Sequence, residues 1–261
     1  SATGSAAAAR SPQRTLPDLR QTGWTMKKVK IHSSMILKSF IASADQAILS
    51  ALSFIISIVL IKTVSKVDYG YYAIGFSIAL FLISIQNAIV NTPLAVLLVS
   101  KTGNTKKKYT ASLFYGQFIV ILPAVCIGIL AAAMAFIMGF DSTQTSVAAA
   151  ISFSSIGILF REFIRAYFYA EELPQKAFKL DLLYVSLFLG SIGSSYFFFN
   201  VGVAFIFILM GTSGGLAALL YSRSRYWKYD KTAIKQSYKE NWKYGKWALL
   251  GVVVWHIQNH G

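Results

Sequence analysis

The sequence predicts an all-α, polytopic membrane bundle of six transmembrane helices plus the start of a seventh. Three observations carry this. Apolar stretches beginning near Ile41, Tyr72, Leu113, Val147, Leu182 and Gly202 each approach the roughly 20 residues that cross a bilayer core. Hydrophobic residues make up 55% of the chain and charged ones 13%, which would leave a soluble fold with too much exposed apolar surface. Finally, of 25 Lys and Arg, all but Lys62 and Lys66 fall before the first span, in alternate connections or at the ends of spans that meet them, a one-sided distribution that predicts a cytoplasmic N-terminus. The net charge of +15 is thus explained by sidedness, and nucleic acid is not expected as a partner.

Residues 1–25, rich in Ala, Ser, Pro and Arg, lack an apolar core of signal-peptide length and read as a disordered lead or a tag. The six-span bundle is expected over residues 26–222, opened by Met26 and a basic approach to the membrane surface. In the first span Asp45 and Gln46 sit near the entry, and Gln46, Ser50, Ser53 and Ser57 share one helix face. The second span repeats the pattern with Ser77, Ser84, Asn87 and Asn91, then meets Pro93, which removes a backbone donor and predicts a kink. Such stripes either bond neighbouring helices or line a shared interior surface. A carboxylate such as Asp45 more often faces a hydrated cavity or a cation.

The third span holds the sole cysteine, Cys126, expected as a small packing residue and incapable of an intrachain disulfide. In the fourth, Val147 to Phe160 gives only about 21 Å of helix, so the span must continue through REFIR. Arg161, Glu162 and Arg165 are then expected in or near the cytoplasmic third of the membrane, with the arginines on one face and Glu162 within reach of Arg165. The surplus positive charge suits the phosphate oxygens of an anionic lipid; snorkelling to the headgroups is the competing reading.

Spans five and six are expected to form a tight hairpin through Asn200 to Gly202, with Ser186, Gly190 and Ser194 allowing close backbone approach. GTSGG at Gly211 to Gly215 has no preceding strand and reads as a flexible or closely packed point, not a nucleotide loop. Residues 223–246 interleave eight cations with Tyr and Trp, the composition of an interfacial segment on anionic lipid. Residues 247–261 read as a truncated seventh span. His32, His256 and His260 have no partners at metal-ligand spacing, so neither a metal nor another cofactor is expected. The outer connections offer Asp68 and Asp141 with no His beside them, and no enzyme activity is expected.

The segments SADQAILSAL, YGYYAIGFS and QNAIVNTP, with REFIRAYFYAEELPQKAFKLD and NWKYGKWALLG, resemble the N-terminal half of oligosaccharide flippases in the multidrug/oligosaccharidyl-lipid/polysaccharide exporter superfamily, related to MATE transporters. That resemblance implies a bacterial or archaeal cytoplasmic-membrane protein that moves an isoprenyl-pyrophosphate-linked oligosaccharide across the bilayer for O-antigen, capsule or exopolysaccharide assembly. It also implies two bundles around a central cavity, alternating access, a coupling cation or proton, and polysaccharide-assembly proteins as partners. On this reading the chain is a fragment lacking the second bundle. Arg161 and Arg165 would meet the pyrophosphate with Glu162 as their charge partner, Asn87 and Asn91 would bind the substrate, and Asp45 with Gln46 would serve coupling or line the cavity. A drug or cation exporter of the same superfamily, recognised by an acidic, aromatic-lined cavity, and a non-catalytic membrane subunit are the alternatives.

Overall fold

The structure is a computed structural model that describes residues 31–196, 202–222 and 230–260. The lead at 1–25, the connection at Asn200 and Val201, and the basic stretch 223–229 lie outside the described residues. The chain divides into a unit ending at Leu37 and a second unit from Lys38 to Gly261. Of the first, the described part is the opening of a helix. All the sites below belong to the second.

Among the described residues the order is α1 (Ile31–Thr63), α2 (Lys66–Gln86), a π turn (Asn87–Asn91), α3 (Thr92–Leu98), α4 (Gly103–Gly116), α5 (Phe118–Ile137), α6 (Ser142–Ala170), α7 (Pro174–Tyr196), α8 (Val203–Ser222) and α9 (Lys231–His260). Among the described residues, six helical segments are long and apolar enough to cross a membrane: Met35–Thr63, Lys66–Leu98, Gly103–Ile137, Ser142–Ala170, Pro174–Ser195 and Val203–Ser222. The protein is therefore an all-α polytopic membrane bundle, as the apolar stretches predict. Two spans are segmented. The second breaks at the π turn before Pro93, and the third at Gln117 between α4 and α5.

Helix ends follow local chemistry. Ser65 caps α2, its hydroxyl accepting from the Asp68 N–H at 3.1 Å, and Asp141 caps α6, accepting from the Ser142 N–H at 2.9 Å. α6 stops where Glu172 takes a positive φ of 54° and the Leu173 N–H bonds the Phe168 carbonyl, after which Pro174 opens α7.

The core is organised around α6, which packs against α2, α3, α5, α7 and α8. Phe163, Leu159, Ile164, Phe207, Ile206 and Phe188 are fully buried there. α6 and α8 come into backbone contact because their facing positions are small. A Cβ on Gly214 would stand 3.2 Å from the Gly157 carbonyl oxygen, and one on Gly211 would stand 3.0 Å from that of Ser154. GTSGG is thus a close-packing point. Ser186, Gly190 and Ser194 are not: all three are exposed, and a Cβ on Gly190 would meet nothing within 4 Å. The four-residue spacing marks a face, and this one turns outward.

Further expectations change with the structure. Cys126 is exposed on α5 and is not a packing residue. The serine stripes of the first two spans are absorbed by their own helices, since the hydroxyls of Ser53, Ser57, Ser77 and Ser84 each donate to the carbonyl four residues earlier. Residues 231–246 and the run from Trp247 to His260 belong to one continuous helix, α9, with no break between them. α9 lays Ala233, Ser237, Asn241 and Gly245, one residue every four, against α4 and the π turn, and leaves Lys235, Lys239, Lys243 and Lys246 exposed.

Candidate functional site

The strongest candidate is a group of charges buried among α1, α6 and α7. The fourth apolar stretch does continue as one helix of 29 residues, so Arg161, Glu162 and Arg165 stand inside a span. Arg165 is the hub. Its Nη2 donates to Asp45 Oδ2 on α1 at 2.8 Å, its Nε lies 2.6 Å from Asp181 Oδ2 on α7, and its Nη1 lies 3.6 Å from Glu162 Oε2. Arg161 Nη2 donates to Glu162 Oε1, its Nη1 is 3.7 Å from Asp181 Oδ1, and its guanidinium stacks 3.9 Å from the centre of the Tyr184 ring. Tyr169 donates its hydroxyl to Asp45 Oδ2 at 2.6 Å.

Burial makes these contacts consequential. Asp45 is 0% exposed, Asp181 1% and Arg161 8%. Taking several charges out of water costs several kcal/mol each, so the group persists only through its mutual pairing. The Arg161 contact to Asp181 is too long for a hydrogen bond and the Arg165 Nε contact lies off the N–H direction, so both are ion pairs and neither Asp181 oxygen takes part in a hydrogen bond. Two arginines face three carboxylates, giving a formal charge of −1.

That balance corrects the expectation of a surplus positive charge, which counted Arg161, Glu162 and Arg165 alone. The physical reason is tertiary. Asp45 arrives from a helix 120 residues away in sequence and Asp181 from the next helix, and both neutralise arginines that a local reading leaves free. Glu162 does serve as partner to both arginines. Asp181 and Tyr184 were missed as site residues, although Asp181 opens an apolar run just as Asp45 does and Tyr184 follows it by one turn.

Beside this group lies a cleft of about 490 Å³ between the second and fourth spans. Asn91, Thr92 and Val96 line one wall, and Ala166, Tyr169 and Glu172 line the other. Tyr169 therefore belongs to both features, bonding Asp45 on one side and bounding the cleft on the other. Asn91 is 7% exposed and donates to Asn87 Oδ1 at 2.7 Å, so the two asparagines act as a pair. At the cleft, Lys38 pairs with Glu172 at 3.0 Å. Gln46 is exposed on α1 and takes no part in the hydrogen bonds or ion pairs of the Asp45 cluster.

The chain matches no known family model, no curated protein and no solved structure. What fold and site define is the class: a multi-pass membrane protein, consistent with transport, whose spans hold a five-residue ion-pair network with Asp45, Arg161 and Asp181 buried.

Proposed function

We propose that this chain is one bundle of a secondary transporter, with the Asp45–Arg165–Asp181 network as its coupling element and the adjoining cleft as a substrate-facing wall. The observation that supports it is a network of five ionisable side chains within candidate spans, three of them buried and two half-buried, joined through Tyr169 to the cleft. Charges at this depth are costly in a membrane and mark ion or substrate pathways more often than they serve packing. An odd formal charge suits coupling, because one proton or cation would bring the group to neutrality. No nucleophile or metal chemistry is invoked, and the reading is non-enzymatic.

For the substrate we follow the sequence resemblance: a lipid-linked oligosaccharide moved across a bacterial or archaeal cytoplasmic membrane, with the N-terminus on the cytoplasmic side. Here Arg161 and Arg165 would act on the pyrophosphate only by exchanging a carboxylate for it, and Asn87 and Asn91 would face the sugar. The lysine face of α9, carrying exposed Trp242 and Trp247, would rest on anionic lipid. Polysaccharide-assembly proteins are the expected partners. One observation favours a second reading, a cation or drug exporter: the cleft lining includes Glu172 and Tyr169 but no Lys or Arg, although Lys38 pairs with Glu172 at its edge.

Deleting the gene in its native host separates the two. Under the first reading, lipid-linked oligosaccharide accumulates on the cytoplasmic leaflet, surface polysaccharide falls, and the wild-type gene but not its Arg165→Gln variant restores both. Unchanged polysaccharide with increased retention of a cationic dye would overturn the flippase reading in favour of the exporter. If neither changes, the transporter proposal fails.

A further inference from the structure

The second span contains a backbone defect that another helix repairs. Proline lacks an N–H, so in regular α-helix the carbonyl four residues before Pro93, that of Ile89, has no donor. The chain answers with the π turn at Asn87–Asn91, where the Thr92 N–H bonds the Asn87 carbonyl five residues back. The Ile89 carbonyl instead accepts from Asn241 Nδ2 of α9 at 3.3 Å. Asn241 is 0% exposed, and its Oδ1 accepts from the Tyr109 hydroxyl of α4 at 2.6 Å. A carbonyl can only accept, which fixes the amide nitrogen toward Ile89.

Gly245, one turn further along α9, brings the helix onto the same turn. A Cβ there would stand 2.8 Å from the Ala88 carbonyl oxygen and 3.2 Å from Ile89 Cα. The π turn also sets what the cleft contains. One extra residue rotates everything downstream by about 100° relative to an unbroken α-helix. The residues so placed are Asn91, Thr92 and Val96, which form a cleft wall.

We propose that Asn241 and Gly245 form a latch by which α9 holds the π turn, and hence the Asn91–Val96 wall of the cleft, in this register. They are positioning residues: neither is among those lining the cleft. α9 released from the turn leaves the Ile89 carbonyl and the buried Tyr109 hydroxyl unpaired, and the segment re-registers. The position of α9 thus controls the shape of a cleft it does not line, independently of what the cleft transports.

The test uses the full chain in membranes with Cys126→Ala and a single reporter, Val96→Cys, labelled by a water-soluble maleimide. Asn241→Ala should change the labelling rate about five-fold, the equivalent of one neutral hydrogen bond, while a reporter at Phe136→Cys stays within two-fold. In a Pro93→Ala background the restored N–H can meet the Ile89 carbonyl without α9, so Asn241→Ala should there change the Val96→Cys rate less than two-fold relative to Pro93→Ala alone, a loss of effect that general loosening of the bundle would not show. An unchanged rate in Asn241→Ala, or an effect that Pro93→Ala does not reduce, would overturn the latch. Should the alanine variant not accumulate, Gly245→Leu displaces α9 sterically, and a Val96→Cys rate within two-fold of wild type would likewise refute it.

Discussion

Replacing Arg165 by glutamine while leaving its carboxylates in place would test whether the buried network is held by charge balance. Arg165 makes ion pairs at 2.6, 2.8 and 3.6 Å. At an effective dielectric of about 20, each is about 5 to 6 kcal/mol of gross attraction, against a desolvation cost of several kcal/mol per ion. The net loss expected on breaking such a buried pair is about 3–5 kcal/mol. The substitution also moves the formal charge of the group from −1 to −2. Asp45→Asn moves it to 0 and keeps a side chain able to bond Tyr169 and Arg165, so it should cost about 1–2 kcal/mol. Reversible unfolding in mixed micelles, followed by helical circular dichroism, reads both values. The double variant returns to −1 and should be no less stable than Arg165→Gln alone, giving a clear coupling term. If Asp45→Asn proved as damaging as Arg165→Gln, or the two costs simply added, charge balance would not be what holds these helices.

Other consequences are more local. Gly157→Ala should destabilise the bundle by about 1–3 kcal/mol through overpacking against α8, whereas Gly190→Ala should be neutral or slightly stabilising; the same unfolding titration compares them. Cys126 should react readily with a lipid-soluble maleimide and slowly with a charged one in intact membranes, as mass spectrometry would show; equal rates would place α5 elsewhere. Asp230, bonded first to Lys108 and then by the Ala233 N–H, has its carboxyl held below the usual range. Its contribution to the start of α9 is therefore present above about pH 4, the ordinary carboxylate value, and lost as pH falls through its lower folded value. Amide protection at Thr232 and Ala233, taken relative to the intrinsic exchange rate at each pH, should fall on acidification across that range and in Asp230→Ala at neutral pH.

How much of this is written in the sequence divides by range. The six spans follow from runs of apolar residues, and the extension of the fourth through Arg161 and Arg165 follows from the length a bilayer demands. Pro93 announces a break in the second span, because a missing N–H is a local fact. Its form as a π turn and its repair by Asn241 are not legible, since they depend on a helix 152 residues away. Asp45 stands out as an isolated carboxylate in an apolar run, yet its partners require the packed bundle. The error over net charge came from treating the arginine pair as a closed local unit. Likewise the spacing of Ser186, Gly190 and Ser194 identifies a face but not which way it turns.

The pairing of Asp45 with Arg165 also bears on how the chain is made. At a synthesis rate of about 5–20 residues per second, the 120 intervening residues separate the two side chains by roughly 6–24 s. For that interval Asp45 must remain in the insertion machinery, at the interface, or protonated in lipid, because its cation does not yet exist. The first span is held to the fourth by the same bond that makes its early insertion costly. Completion of the fourth and fifth hydrophobic segments, which bring Arg165 and Asp181, is thus the earliest moment at which the first can settle into its final environment.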